Sequence, residues 1–246
     1  MKIPLIKNFA IISLLCTAIL TLQGNEKNSL WPAITPESKP GTRWWWMGSA
    51  VNEKNLTWNL EEYARTGIGL VEITPIYGVQ NNDANNISFL SEKWMKMLGH
   101  TITEGKQLGI QVDMNTGTGW PFGGPEVSIE DAASKLIVNE YKVMGGMVFN
   151  QKIVPDDKKQ IPAAKLQRLM AYSNKKTLDL TTKVDAEGNI NWKAPKGNWT
   201  LIAAFNGKTF QTVKRAAPGG EGYVMDHFSA RAANRYFEKF SQAFEK

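Results

Sequence analysis

Short apolar runs alternate with longer amphipathic stretches in the first half of the chain. Three apolar or aromatic runs predict β-strands, at residues 43–48, 69–76 and 110–115. Two stretches with apolar side chains on one helical face predict helices, at residues 53–66 and 91–108. Gly67 and Gly109 follow them and supply the left-handed conformation that ends a helix. Strands that alternate with helices through short turns predict a parallel α/β sheet.

The loops at the carboxyl ends of these strands are the expected place for functional groups. Gly48-Ser49, residues 74–77 and the loop after Asp113 occupy those positions. The last loop has four glycines around Trp120 and Phe122, so its backbone is expected to approach a ligand closely. It has neither of the glycine motifs that bind phosphate, and its aromatic rings favour a ligand with a flat apolar surface.

The pattern changes near residue 137 to short alternating runs separated by glycine-containing turns. These runs predict antiparallel strands, at residues 137–143, 177–184, 189–192 and 199–205. Just before them, Ser128 and Asp131 form a capping-box pattern that predicts a helix to about residue 136. Residues 226–229 lead into a last predicted helix, which carries four aromatic side chains. The β-rich part is therefore interpreted as an insertion between two parts of an α/β unit.

The amino-terminal residues have the pattern of a secretory signal. Lys2 and Lys7 precede an apolar run at residues 9–20, which is shorter than the roughly 20 residues needed to span a bilayer. Cleavage near Gly24 would remove both lysines and the single cysteine, Cys16. Attachment of a lipid to Cys16 is the alternative, although the large Leu15 before it disfavours that interpretation. Residues 25–42 contain three prolines and predict a linker.

Composition narrows the chemistry of this 246-residue chain. With one cysteine and two histidines, it has neither an intramolecular disulfide nor a cysteine- or histidine-rich metal centre. The nine tryptophans provide flat apolar ring surfaces, which fit a sugar-facing site. The formal net charge of +6 falls to +4 without Lys2 and Lys7, and the lysines are scattered, so nucleic-acid binding is not expected.

Six residues are candidates for saccharide binding: Trp46, Glu72, Asp113, Asn115, Trp120 and Asp226. Glu72 either binds sugar hydroxyls or a cation, or is an ion-paired residue of the sheet. Asp113 and Asn115 share one face of their strand and either contact a ligand or brace the loop. Asp226 has a helix N-cap as its favoured alternative. Strand alternation places Trp45 opposite Trp44 and Trp46, so one set packs under helices and the other faces a barrel axis.

Several segments together resemble the start of the family 106 glycoside hydrolases, the bacterial α-L-rhamnosidases. They are WWWMG at 44–48, GIGLVEI at 67–73, FLSEKW at 89–94, DMNTGTGWP at 113–121, NWKAPKGNW at 191–199 and APGGEG at 217–222. The resemblance implies an α/β fold, the (β/α)8 TIM-type barrel interrupted by antiparallel β domains. It also implies calcium-assisted hydrolysis with inversion at the sugar, and export to the periplasm or cell surface of a Gram-negative bacterium that degrades plant polysaccharides.

The residue patterns, together with the barrel that the resemblance implies, predict the following organisation: a signal peptide at 1–24, a linker at 25–42, the first βα units of the catalytic barrel at 43–136, a β insertion at 137–215 and a return to the barrel at 216–246. Three strands cannot close a barrel of eight. Most of the barrel, with the catalytic acid and base, is therefore expected beyond Lys246. An oligosaccharide or polysaccharide is the expected partner, with no transmembrane segment after removal of the signal.

Two other functions fit the sequence. In the first, the β insertion binds carbohydrate through Trp192 and Trp199 without cleaving it. In the second, the protein is a secreted structural protein whose tryptophans all belong to the core. Binding of a glycan without hydrolysis would favour the first of these, and no binding at all would favour the second.

Overall fold

The computed structural model describes residues 32–174 and 176–245. The predicted signal peptide and residues 25–31 of the predicted linker lie outside this part of the chain. Within it, no helix is both long enough and apolar enough to cross a membrane.

The first half forms a three-stranded parallel sheet with two helices. Its elements are β1 (Gly41–Met47), α1 (Glu53–Arg65), β2 (Leu70–Ile76), α2 (Glu92–Leu108) and β3 (Gln111–Met114). The central strand is β2, with β1 and β3 on its two sides. The predicted strands and helices of this half are confirmed to within about two residues at each end. These strands form an open sheet, and the described residues contain no closed barrel.

Local side chains begin and end the two helices as the sequence predicts. The side chain of Asn52 accepts a hydrogen bond from the backbone N–H of Asn55 at 3.0 Å, which caps α1. Ser91 caps α2 in the same way, and Gly109 ends that helix with a φ of 68°. These contacts satisfy backbone groups that a helix leaves unpaired at its ends.

Helices α1 and α2 cover one face of the sheet and form the first hydrophobic core with it. From β1, Trp44 packs edge-on against Tyr63 of α1, with ring centroids 5.5 Å apart. Trp46 packs against Trp94 of α2 at 5.5 Å, and both are fully buried. Burial of each large apolar side chain stabilises the fold by about 1.5–3 kcal/mol. Trp44 and Trp46 therefore lie on the face of β1 that the helices cover.

Antiparallel strands fill the second half. The remaining strands are β4 (Gly123–Gly124), β5 (Ser134–Met144), β6 (Val148–Lys152), β7 (Lys165–Tyr172), β8 (Thr177–Asp179), β9 (Asn189–Lys193), β10 (Asn198–Lys208) and β11 (Tyr223–Val224). Four of them form a sheet in the order β5-β10-β7-β8, while β6 pairs with β9 and β4 with β11. Strands β4, β6, β7 and β11 were not predicted. The predicted strand at 177–184 ends at Asp179 and continues as a 3-10 turn.

The helix predicted up to residue 136 is wrong. Residues 128–131 form a turn, and the chain enters β5 at Ser134. Ala132 bridges to Met225, and the backbone N–H of Ala133 donates to the carbonyl of Val224 at 2.8 Å. These contacts with a distant segment use the backbone groups that a helix would need, so the capping pattern does not lead into a helix.

Trp192 and Trp199 belong to the second hydrophobic core, inside the β-rich half. Both are buried, and their rings meet edge-on with centroids 5.7 Å apart. The indole N–H of Trp199 donates to the carbonyl of Pro195 at 2.9 Å. Neither ring faces solvent, so the predicted sugar-binding role of these two tryptophans is wrong. The all-core alternative also fails, because Trp45 and Trp120 are 45% and 44% exposed.

The last helix, α3 (Ala230–Phe244), returns to the first core. Its Tyr236 and Phe240 are buried there, and the ring of Phe240 lies 6.1 Å from that of Phe89. Ser229 caps the helix by accepting a hydrogen bond from the backbone N–H of Ala232 at 3.2 Å. The favoured interpretation of Asp226 as the N-cap is therefore wrong.

A buried carboxylate joins α3 to the turn before β5. Asp131 is 3% exposed and forms ion pairs with Arg231 at 3.0 Å and Arg235 at 2.8 Å. Burial opposes the ionisation of Asp131, but the hydrogen bond and charge of Arg235, aided by Arg231, outweigh it and hold its pKa below the ordinary value. The ionised Asp131 thereby links the turn before β5 to α3.

Candidate functional site

The sheet face opposite α1 and α2 carries the polar and aromatic side chains of interest. We call it the open face and define it by Arg43, Trp45, Glu72, Thr74 and Asp113. Strand alternation places these residues opposite the buried Trp44, Trp46, Val71 and Ile73. The parallel register sets Arg43 beside Glu72, Glu72 beside Asp113, and Trp45 beside Thr74.

A row of three charged residues crosses the open face. Arg43 donates to Oε2 of Glu72 from both Nε and Nη2, each at 2.9 Å. Both contacts use the same carboxylate oxygen, so Oε1 of Glu72 remains available to accept a hydroxyl. Asp113 is exposed at the next strand, where its Oδ1 accepts from the backbone N–H of Met114 at 2.7 Å. Glu72 is thus ion-paired, which was one of its two predicted roles.

An aromatic pair lies nearer the carboxyl end of the strands. Trp120, from the loop after β3, approaches Trp45 with ring centroids 6.3 Å apart and an angle of 58° between the rings. Both rings are nearly half exposed. Side chains of this kind offer a sugar a flat apolar surface without moving. We call Trp45 and Trp120 the aromatic pair.

Backbone hydrogen bonds hold Trp120 in this position. The N–H of Asn115 donates to the carbonyl of Ile73 at 2.9 Å, which extends the β2–β3 pairing past β3. The N–H and carbonyl of Trp120 pair with the carbonyl and N–H of Lys214, at 3.1 and 3.0 Å. The loop is therefore attached both to the end of β2 and to the segment that follows β10.

Glycines of this loop allow two backbone segments to approach each other closely, as Gly119 illustrates. Its φ is 54°, and a Cβ there would lie 2.1 Å from the carbonyl oxygen of Lys214. Similarly, a Cβ on Gly123 would lie 2.1 Å from the carbonyl oxygen of Tyr223. Sequence reasoning expected these glycines to approach a ligand, but the close approach at both positions is to the chain's own backbone.

Tyr236 of α3 fixes the other side of the loop. Its hydroxyl donates to the carbonyl of Thr116 at 2.8 Å. Burial, with a smaller contribution from Glu126, raises the pKa of Tyr236, so the hydroxyl keeps its proton. The loop that carries Trp120 is thereby tied to a helix of the first core.

Arg215 and Tyr77 complete the site beside the aromatic pair. The guanidinium carbon of Arg215 lies 5.4 Å from the ring centroid of Tyr77 and 5.9 Å from that of Trp120. Nη1 of Arg215 also donates to the hydroxyl of Tyr77 at 3.0 Å, while the backbone N–H of Tyr77 donates to the carbonyl of Arg215 at 3.1 Å. Sequence analysis missed Arg215, because the two residues are 138 positions apart and no local pattern connects them.

The structure brings together some predicted site residues and separates others. Glu72 and Asp113 lie on the open face, and Trp120 joins Trp45 there. Asn115 is half-buried just after β3. Trp46 is fully buried under α2 and Asp226 accepts a hydrogen bond from the hydroxyl of Ser134 at 2.7 Å, so neither is on the open face. Trp45 takes the place that Trp46 was expected to have, because the helices cover the other side of β1.

Calcium, which the family resemblance implies, takes six to eight oxygen ligands. Within residues 32–174 and 176–245, no three His, Cys, Asp or Glu side chains are close enough together to hold a metal ion. The carboxylate of Glu72 is directed to Arg43 instead. The described residues therefore do not fit a calcium site by themselves, and no chemical step is assigned to the ion.

A groove of about 800 Å³ lies between α2 and α3, lined in part by Phe89, Met95, Lys239 and Phe244. Phe89 belongs to the first core, on the helix-covered side of the sheet. The groove is therefore separate from the open face. Its wall includes an ion pair of 2.5 Å between Lys239 and Glu126.

Comparisons with known proteins identify the family of the chain. The sequence profile of the family 106 glycoside hydrolases, described as α-L-rhamnosidases, matches residues 33–160 and 155–246. A curated protein of Formosa agariphila, which has β-glucuronidase as a provisional name, is 23% identical over 240 aligned residues. That alignment covers 82% of this chain and 20% of the relative.

The solved structure of a rhamnosidase from Novosphingobium sp. PP1Y has a similar fold, with a TM-score of 0.62 and 13% sequence identity. The match covers 85% of this chain and 37% of that structure. The chain thus spans about a fifth of the curated relative and little more than a third of the solved one.

The family match along most of the chain defines its class, that of the glycoside hydrolases. The chain belongs to family 106 of the glycoside hydrolases, the α-L-rhamnosidase family. Its mixed α/β fold is shared with a rhamnosidase of known structure.

Proposed function

We propose that the protein is an inverting α-L-rhamnosidase that acts on side chains of plant polysaccharides. The observation that carries this proposal is the position of the aromatic pair, Trp45 and Trp120, beside the charged row of the open face. In a family of glycosidases, rings and carboxylates at the carboxyl end of parallel strands are placed to bind a sugar. Membership of the α-L-rhamnosidase family supports rhamnose as that sugar.

In this proposal β1, β2 and β3 are the first strands of a (β/α)8 barrel, and the open face is part of its interior. Residues 43–136 and 216–246 belong to the barrel, and residues 137–215 are the insertion. The observed antiparallel sheet extends from Ser134 to Lys208, which supports an insertion of about this extent. Additional strands of such a barrel would lie beside the open face and flank the half-exposed rings, which stay accessible from the carboxyl-terminal end of the barrel.

The aromatic pair would hold the apolar face of the sugar ring, while Asp113 and the free Oε1 of Glu72 accept hydrogen bonds from its hydroxyls. Inversion also needs a carboxylic acid and a carboxylate roughly 6.5–9.5 Å apart, with a water between them. We assign neither role to the described residues, since Glu72 is held by Arg43. We propose that the acid and base come from strands of the barrel that are not among the described residues.

Export to the periplasm or cell surface of a Gram-negative bacterium is part of the proposal. It is supported by the charged and apolar pattern of residues 1–24, and cleavage after expression with its leader would test it. Calcium dependence of hydrolysis is proposed from the family alone. Loss of activity on chelation, and its return when calcium is added, would support that dependence.

The test of function is release of sugar from 4-nitrophenyl α-L-rhamnopyranoside and from rhamnose-bearing pectin. We expect release by a protein that contains every strand of the proposed barrel. Proton NMR of the first product should show the β-anomer, as inversion of an α-rhamnoside requires. A 4-nitrophenyl β-D-glucuronide is the matched second substrate, because a curated relative carries that activity in its name. Binding without release of either sugar would instead favour a non-catalytic carbohydrate-binding protein.

A further inference from the structure

Arg215 differs from the other arginines of the site and its surroundings in having no acidic partner. Four arginines form ion pairs with carboxylates, namely Arg43, Arg65, Arg231 and Arg235. Within residues 32–174 and 176–245, no carboxylate lies within 4.0 Å of the Arg215 side chain. Arg215 therefore brings an uncompensated positive charge to the edge of the aromatic pair.

The guanidinium group is nevertheless held in place. It lies against two rings, those of Tyr77 and Trp120, and one of its nitrogens donates to the Tyr77 hydroxyl at 3.0 Å. A guanidinium has five N–H donors, so most of them remain free. The backbone of Arg215 has a φ of 60°, and its carbonyl accepts from Tyr77. A positioned arginine with free donors loses less conformational entropy on binding than a mobile one.

The two ends of the aromatic pair contrast in charge. The guanidinium carbon of Arg43 lies 5.8 Å from the ring centroid of Trp45, but Glu72 neutralises this arginine. At the Trp120 end, Arg215 is not neutralised by any described carboxylate. A ligand on the rings therefore meets a free cation at one end only. A planar guanidinium pairs best with a carboxylate or another oxyanion, through two parallel hydrogen bonds.

We propose that Arg215 binds the carboxylate of an acidic sugar, a uronate, whose ring or neighbouring ring lies against Trp45 and Trp120. This inference rests on the proposed saccharide-binding function and adds a charge preference to the same site. The substrate class is then an anionic oligosaccharide, in which the uronate is recognised beside the sugar that is released.

The first experiment compares ligands on the unaltered protein. D-galacturonate, its methyl ester and D-galactose 6-phosphate are titrated at low salt, and the indole N–H signals of Trp45 and Trp120 are followed by NMR. D-galacturonate should bind about three- to tenfold more tightly than the uncharged ester, the range for a partly exposed charge-assisted contact. The difference should shrink as sodium chloride is added. Equal affinities for acid and ester would overturn the proposal, and tighter binding of the phosphate would overturn the assignment to a carboxylate.

The second experiment uses three variants. Arg215→Gln should abolish the preference for galacturonate over its ester, while Arg215→Lys should keep part of it, because an ammonium group is charged but not planar. Arg168→Gln makes the same change at an exposed arginine of β7, in the second sheet, and should leave the preference unchanged. An undiminished preference in Arg215→Gln would overturn the proposal.

The two proposals fail in different ways. If no saccharide shifts either indole signal, the saccharide site itself is refuted, and the carboxylate preference with it. If galacturonate and its ester bind equally well, the saccharide site stands and only the role of Arg215 is refuted. Should Arg215→Gln not fold, the ligand comparison on the unaltered protein decides the question without it.

Discussion

Trp45 and Trp120 lie 75 positions apart in the sequence, yet their ring centroids are 6.3 Å apart. Trp45 projects from the open face of β1, and Trp120 reaches it from the loop after β3. The exposed parts of the two rings form a surface that a flat ligand can cover. The following predictions concern this surface, the contacts that hold it and the ion pairs around it.

Removal of either ring should weaken saccharide binding. Trp45→Ala and Trp120→Ala each lose one aromatic contact, which should lower the affinity for methyl α-L-rhamnopyranoside by about two- to tenfold. Titration calorimetry or NMR measures this change. Trp58→Ala is the matched control, since Trp58 is an exposed tryptophan on α1. An equal loss in the control would show that the effect is not specific to the aromatic pair.

Gly119→Ala should displace the Trp120 loop. A Cβ at this position would clash with the carbonyl of Lys214, in addition to the cost of a positive φ. We expect a loss of stability of more than about 2 kcal/mol and weaker saccharide binding. Urea denaturation measures the first and NMR titration the second.

Gly109→Ala separates the cost of a positive φ from the cost of the clash with a neighbouring carbonyl. Gly109 has a φ of 68°, but a Cβ there meets no atom within 4 Å. This variant should lose only about 1–2 kcal/mol and bind saccharide normally. Equal stability and binding in the two variants would contradict the steric role of Gly119.

Tyr236→Phe removes the hydroxyl that donates to the carbonyl of Thr116. The carbonyl of Thr116 loses a part-buried hydrogen bond, so the free energy of unfolding should fall by about 1 kcal/mol. Saccharide affinity should fall as well, because the loop that positions Trp120 becomes less restrained. Tyr172→Phe, on the exposed surface of β7, should change neither quantity. Normal binding by Tyr236→Phe would show that the hydroxyl does not position the ring.

Glu72→Gln tests the two roles left open for this carboxylate. Its ion pair with Arg43 is partly exposed, with 53% and 30% of the two side chains accessible, so stability should change by less than about 1 kcal/mol. If Oε1 binds a sugar hydroxyl, affinity should fall severalfold with little loss of stability. Glu62→Gln, which breaks an exposed ion pair with Arg65 on α1, is the control. Unchanged affinity would leave Glu72 only its ion-pairing role.

Asp131→Asn should make stability less sensitive to acid. The folded-state pKa of Asp131 is lowered by Arg235 and Arg231, so its ionised form stabilises the fold above the ordinary pKa of about 4. That contribution is lost as the pH falls through the lower folded-state pKa. The variant should therefore be about 1–3 kcal/mol less stable at pH 7, with a smaller difference below about pH 4.

Urea denaturation at several pH values measures this dependence. Glu130→Gln changes an exposed neighbouring carboxylate and should follow the unaltered protein at every pH. A constant difference between Asp131→Asn and the unaltered protein would refute the linkage to the ionisation of Asp131.

Sequence patterns predicted the first half of the fold well and the second half less well. Periodicity, caps and glycines identified β1, β2, β3 and their two helices, because each signal lies within the element that it defines. The helix predicted from the capping pattern at Ser128 is wrong, because the backbone there pairs with residues 224–226 instead. Strand β7 was missed, although it packs centrally against β10 in the second sheet.

The candidate site shows the same division between local and distant information. The sequence alone determined that Trp45 faces away from Trp44 and Trp46, and that Glu72 and Asp113 stand near the ends of neighbouring strands. These results follow from the two-residue period of a strand, which is a local property. Only the tertiary structure decided which face the helices cover, and thus that Trp45 and not Trp46 is exposed. It also decided that Arg215 meets Tyr77 and Trp120, because contacts between segments so far apart depend on how the whole chain packs.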